Sequence, residues 1–202
     1  DVAYSIRGEL GNEMRRTPGL TVKPANGNFT YWYSFVDQWD PKSPWADRRV
    51  RLAANLAINR QAINEAETLG YSRLTGSIIP TSFEFFWQPP VYAYDIAKAR
   101  QLLVEAGYPN GFDAGDLWCD GSSSTYAEPV LNYLLAVGIK ARLRPLERAA
   151  FLKAAQDKKL KNIVWGLSGI FGNAATRMEP FVVSTGANAT LAVSMAVARA
   201  AA

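Results

Sequence analysis

Apolar residues recur at helical spacing in two places along the chain. Val50, Ala53, Ala54 and Ala57 fall three and four apart, and Ala99, Leu102, Leu103 and Ala106 do the same. Each set makes one face of an amphipathic helix. Both have a start signal: Asp47 and Asp95 stand just before the stripes, where a carboxylate accepts the orphan N–H groups of a first turn. Asn59 is placed to cap a second, shorter helix after the first. Gly107 followed by Pro109 gives the later helix a left-handed stop and a barrier to continuation. The spacing therefore predicts helices over Asp47 to Ala57 and Asp95 to Ala106. A four-residue period through Ile6, Leu10 and Met14, closed by Thr17-Pro18-Gly19, predicts a short opening helix.

Between and after these helices the pattern changes. Thr30-Tyr31-Trp32-Tyr33-Ser34-Phe35 is rich in aromatic strand formers and leads into a loop over Asp37 to Pro44. Gly70 to Pro90, with its run Phe83-Glu84-Phe85-Phe86-Trp87-Gln88-Pro89-Pro90, reads as an extended loop laid over a surface, its aromatics serving either as anchors or as a ligand wall. From residue 116 the order is strand, helix, strand, helix, strand. The segments are Asp116 to Cys119, Tyr126 to Leu135, Ile139 to Leu143, Arg148 to Gln156 and Asn162 to Gly166, with Gly138 turning the chain into the third. Alternation at this pitch predicts an α/β fold in which helices cover a mixed or parallel sheet.

Composition removes several chemistries. The 202 residues include no histidine, so there is no imidazole base, no histidine-dependent triad and no histidine metal site. One cysteine, Cys119, makes no internal disulfide and builds no thiolate cage, and at a strand end it reads as a small buried residue. The formal net charge is +4, yet the cations are dispersed on helix faces or bunched in one solvated run, Lys158 to Lys161, without a glycine-aromatic RNA signature beside them. Nucleic acid is not an expected partner. Asp37 with Asp40, or Asp116 with Asp120, are the carboxylate pairs that an enzyme reading would have to use, but nothing in their spacing sets separation or burial.

Two blocks carry a family resemblance. Residues 44–63 (PWADRRVRLAANLAINRQAI) and 94–112 (YDIAKARQLLVEAGYPNGF) resemble, in order and separation, the second lobe of the bacterial extracellular solute-binding proteins of family 5, the dipeptide- and oligopeptide-binding type that serves ABC importers. Leu135 to Lys140 also resembles that family's helix-to-strand turn, and the resemblance covers residues 1 to about 183. It implies a type II periplasmic-binding-protein-like lobe, a mixed sheet covered by helices. It further implies a substrate-binding subunit that encloses a peptide or peptide-like solute against a first lobe and delivers it to permease subunits of the transporter. No cofactor, metal or enzymatic turnover is expected. The same fold resemblance occurs as the ligand-sensing domain of some transcriptional regulators, which is the alternative.

The resemblance places the ligand contacts of this lobe in the loop after the last strand, Trp165 to Arg177. Trp165, Ser168, Ile170, Asn173 and Arg177 are the candidate ligand-binding residues. Peptide-binding relatives hold the solute's amino group there on an aspartate, and the best register puts Ile170 in its place. Isoleucine cannot pair with an ammonium group, so free amino termini are not expected to be recognised there. Glycines at 166, 169 and 172 read as backbone able to approach a ligand closely.

Asp1-Val2-Ala3-Tyr4-Ser5-Ile6 begins in ordered-looking sequence with no signal peptide, which fits a mature or trimmed chain of a periplasmic protein, secreted or lipid-anchored in its precursor. Two glycosylation-type triplets, at Asn28 and Asn188, are chance matches on a bacterial reading. Residues 184–202 depart from the family pattern. This Ala-rich tail favours helix, is too short and too polar at its start for a membrane span, and reads as foreign to the lobe.

Overall fold

The computed structural model describes residues 2, 3, 6 and 8–182 other than 26, 170 and 171; the Ala-rich tail lies outside the described residues. The predicted alternation is present. Helices α1 (Gly8–Arg16), α2 (Arg48–Ala57), α3 (Arg60–Thr68), α4 (Ile96–Glu105), α5 (Ser124–Ala136), α6 (Arg148–Gln156) and α7 (Ala174–Val182) accompany strands β1 (Phe29–Phe35), β2 (Phe112–Asp120), β3 (Ile139–Leu146) and β4 (Ile163–Gly169). The strands form one mixed sheet in the order β1-β4-β2-β3. β2 runs parallel to both β3 and β4, while β1 is antiparallel to β4.

The capping chemistry read from the sequence is what starts the helices. Asp47 Oδ1 accepts from the Arg49 backbone N–H at 2.7 Å, Asn59 Oδ1 from Ala62 at 3.0 Å, and Asp95 Oδ1 from Lys98 at 2.8 Å. Val50, Ala53, Ala54 and Ala57 of α2 are buried, as are Ala99, Leu102 and Leu103 of α4, and the two stripes face each other. α4 ends as Gly107 enters the left-handed region at φ +90° and the Tyr108 N–H closes on the Leu103 carbonyl at 2.8 Å.

α1 departs from its stripe. Leu10 is exposed, and Gly11 is the residue that packs, its Cα beneath the Leu69 side chain at the end of α3. Without a side chain at Gly11 the two short helices approach closely, and the period through Ile6, Leu10 and Met14 marked a helix but not its buried face.

Side chains alternate across the sheet. One face carries Phe35, Leu117, Cys119, Ile139, Ile163 and Trp165 against α2, α4 and α5, in a core that also buries Trp45 stacked on Phe35 at 4.1 Å. The other carries Val164 and Trp118 beneath α6, with Leu160 and Phe151. Cys119 is fully buried, and burial with the neighbouring Asp120 carboxylate pushes its thiol up to about 11, so it stays protonated at neutral pH.

Asn162, just before β4, ties the exit of β1 to the middle of β2. It sits at φ +60°, its backbone and side-chain N–H groups donate to Asp37 Oδ2 at 2.7 and 3.2 Å, and its Oδ1 accepts from Asp116 at 3.2 Å. Asparagine is tolerated there because its short amide satisfies neighbouring backbone while the chain turns left-handed.

Candidate functional site

In an open α/β sheet, a crevice forms beyond the carboxyl ends of the strands where neighbouring strands send their following helices to opposite faces. Here that place is between β2 and β4. β2 is followed by α5 on the Trp165 face, whereas β4 is followed by α7, which packs with Trp32 on the Val164 face. β2 pairs with β4 through Leu117–Ile163 and Trp118–Val164, then leaves the sheet after Asp120. β4 continues to Gly169, paired with β1 as far as Phe29. The outer ends of β1 and β4 therefore stand above the turn Gly121–Ser123 and the start of α5.

An aromatic floor lies in this corner. The Tyr31 ring meets Tyr126 of α5 at 4.6 Å, stacks on Trp165 at 5.7 Å and receives the edge of Phe29 at 5.5 Å. Trp165 is 7% exposed, while Phe29 and Leu167 reach 42% and 36%. Tyr31 and Tyr126 are half-buried, so the exposed part of this cluster is carried by Phe29 and Leu167, and such an apolar surface suits apolar or planar groups. The rim is polar. Ser122 Oγ donates to Asp120 Oδ1 at 3.0 Å and Ser124 Oγ to the Gly121 carbonyl at 2.9 Å, so both hydroxyls keep lone pairs for an incoming N–H.

Asp120 is the carboxylate of this rim and it is committed. It accepts from the Ser122 N–H at 3.0 Å and from Arg148 Nη1 at 2.9 Å. Burial alone would raise its pKa, but the Ser122 hydrogen bonds and the Arg148 guanidinium together hold it below its ordinary value of 3.8. A carboxyl whose folded pKa is depressed adds stability that is complete above its unfolded pKa and is lost as pH falls through the folded one. Asp47, Asp113 and Asp157 are shifted the same way, by the Arg49 side chain, the Gly115 N–H and the Lys153 ammonium respectively. With no histidine in the chain, thermal melts should be flat from about pH 6 to 8 and fall most steeply below about pH 4. A slope across neutrality would contradict this assignment, and Asp120→Asn should flatten the acid limb.

Among the described residues, the sequence-derived candidates Trp165, Ser168 and Asn173 do not share one loop. Trp165 and Ser168 lie in β4, not after it, and point to opposite faces. Trp165 supports the aromatic floor. Ser168 is buried, and its Oγ donates to the Ile78 carbonyl, fastening the long loop to the strand. Asn173 caps α7: its Oδ1 accepts from the Thr176 N–H at 3.0 Å while Thr176 Oγ1 accepts from the Asn173 N–H at 3.0 Å. Ile170 and the Arg177 side chain lie outside the described residues.

The four carboxylates of the enzyme reading are engaged separately. Asp37 holds Asn162, Asp40 accepts from the Lys42 N–H at 2.9 Å, Asp116 holds Arg142 and Arg144 at 3.2 and 3.3 Å, and Asp120 holds Arg148. Tyr31, Tyr126 and the serine turn were not singled out from sequence. The alternation of aromatic residues at 29, 31 and 33 was the available signal for one face, but their meeting with α5 is tertiary.

Residues 1–189 match the family model described as bacterial extracellular solute-binding proteins, family 5. The chain belongs to that family. Among curated relatives, the glutathione-binding protein GsiB of Salmonella choleraesuis is 35% identical over 152 residues, 71% of this chain and 29% of the relative. Its counterpart in Escherichia coli K12 is 34% identical over the same length. This chain thus spans about 29% of the length of the curated relatives it matches. In solved structures, NikA from Brucella suis, in complex with Fe(III)-EDTA, superposes with a TM-score of 0.74 at 17% identity over 94% of this chain and 41% of that one. DppA from Helicobacter pylori, in complex with the peptide STSA, gives 0.65 at 24% identity over 78% and 30%. These superpositions show the periplasmic-binding-protein fold, with the mixed sheet covered by helices. Among the described residues no helix is long and apolar enough to cross a membrane.

Proposed function

We propose that this chain is the second lobe of the solute-capturing subunit of a bacterial ABC importer, and that the crevice between β2 and β4 is its half of the binding cleft. The observation that supports this reading most is the aromatic floor of Tyr31, Tyr126 and Trp165 under a hydroxyl rim, at the carboxyl ends of the parallel strands in a member of this family. The solute is a small peptide or peptide-like molecule such as glutathione. Its amide N–H groups meet the lone pairs of Ser122 and Ser124, and its planar groups rest on the rings. In this reading Trp165 works from beneath the floor, Ser168 fastens the long loop to β4, and Ile170, Asn173 and Arg177 keep the ligand-binding role that the family resemblance gives them.

The other lobe of the same parent protein closes over the solute, because a half-site buries too little of it for tight capture. The closed form hands the solute to permease subunits at the membrane, with the parent in the periplasm, free or lipid-anchored. The solute is carried, not transformed. Native mass spectrometry of the intact parent should find one small peptide-like mass bound, and the same mass should be recovered after release and rebinding. An altered mass would defeat the carrier reading.

A further inference from the structure

We propose that Arg148 decides how this site treats a solute's amino group: it covers one oxygen of Asp120, and with Arg148 replaced the same carboxylate becomes an ammonium-binding residue. The inference rests on the proposed function, since it concerns a solute held in the crevice. It adds a specificity-determining residue that acts through Asp120 rather than by touching the solute.

The two oxygens of Asp120 have separate tasks. Oδ1 accepts both contacts of the following turn, from the Ser122 N–H at 3.0 Å and from Ser122 Oγ at 3.0 Å. Oδ2 accepts from Arg148 Nη1 at 2.9 Å. The turn therefore needs the first oxygen, and the guanidinium occupies the second. Among the described residues, Arg148 is the one cation paired with this carboxylate. It is also the outer partner, since its side chain is 63% exposed while that of Asp120 is 13% exposed.

The needs of its own helix do not account for an arginine here. Arg148 is the first residue of α6, where unpaired N–H groups carry partial positive charge and disfavour a cation. Glu147 already caps that end, accepting from the Ala149 and Ala150 N–H groups at 2.9 and 3.2 Å. What the position gains is the pair with Asp120, 28 residues earlier at the rim. A cation as exposed as Arg148 contributes little to stability, so its replacement leaves the fold and the Oδ1 contacts in place. The carboxylate stays ionised on its two Ser122 hydrogen bonds, with Oδ2 released as a charged acceptor beside the serine turn. That is the chemistry a primary ammonium group requires.

Calorimetry of the intact parent against glutathione and Ala-Phe-Ala, each free and N-acetylated, tests it in four proteins: the wild type, Arg148→Gln, Arg148→Lys, and Arg148→Gln combined with Asp120→Asn. In Arg148→Gln the free forms are expected to bind at least about tenfold tighter than the acetylated ones. The wild type, the charge-keeping Arg148→Lys and the double variant should all hold that ratio under about fivefold. A purely structural role for Arg148 would shift both forms together and leave the ratio alone. An Arg148→Gln ratio equal to that of the wild type therefore overturns the proposal. So does a preference that survives in the double variant, which would put the amine on another residue. Equal weakening of both forms in Arg148→Gln would mean that the guanidinium holds the solute directly, and overturns it too. Failure of every form to bind the wild type defeats the carrier reading and this inference with it, whereas intact binding with an unchanged ratio defeats the inference alone.

Discussion

Alanine at position 111 is expected to remove about 4 kcal/mol of stability, enough to leave much of the chain unfolded at 37 °C. Gly111, in the turn from α4 into β2, lies against Gly138, in the turn from α5 into β3. A Cβ at 111 would come within 2.6 Å of the Gly138 Cα and closer still to its carbonyl, which accepts the Phe112 N–H at 3.1 Å. Both glycines are left-handed, at φ +74° and +91°, so the substitution adds backbone strain to a backbone-to-backbone collision that no rotamer relieves. Gly107→Ala is the control. It is also left-handed, at φ +90°, but has no atom within 4 Å of the added methyl, and should cost only about 1 kcal/mol. Urea unfolding of the two variants separates the effects, and equal losses would mean that the two turns do not cross as described.

The second large effect concerns Trp165. Trp165→Ala removes the ring under Tyr31 and opens a cavity beside Ile163, for an expected loss of about 3–5 kcal/mol. Trp165→Phe keeps most of the contact area. The indole N–H is buried without a hydrogen-bond partner in the structure, so its removal leaves no group newly unpaired, and the loss should stay below about 1.5 kcal/mol. A phenylalanine variant as unstable as the alanine variant would mean that the indole N–H has an acceptor. In the parent protein, Trp165→Phe should leave solute affinity within about threefold, because a residue 7% exposed acts on the solute through Tyr31.

The contrast between what the sequence disclosed and what it hid is physical. α2 and α4 were legible because their caps and stripes are local: Asp47, Asp95 and Gly107 act within one turn of their own helix. The mixed α/β layering followed from the alternation of short strands and helices, and the family from two blocks that are themselves those helices. The length of β4 was not legible. The expected strand stops at Gly166, and the structure carries it on through Gly169; Gly166 fits within the strand because the Trp32 indole lies over it, within 2.8 Å of where a Cβ would stand. Nothing near position 166 in the sequence announces a tryptophan from another strand.

The binding corner was hidden for the same reason. Tyr31 and Tyr126 are 95 positions apart and meet because β1 pairs with β4 while α5 crosses the same face. Each was read correctly as a strand or helix residue, and their ring contact is a property of the assembled sheet. Asn173 and Ser168 turned out to serve local structure: one caps α7 and the other fastens the 78–80 segment. A polar residue near a glycine carries both meanings in sequence, and only its partner decides between them.

Calorimetry of the intact parent against glutathione and short peptides, each with its amino group free and acetylated, tests the central claim most directly. The rim residues 28–31, 120–126 and 165–169 contain one carboxylate, Asp120, already held by Arg148 and Ser122. An ammonium group brought there would lose water without gaining a partner. The account predicts binding of at least one of these solutes, with acetylation changing affinity by less than about fivefold, under 1 kcal/mol. Failure of every peptide and of glutathione to bind, or binding abolished by acetylation, would contradict it.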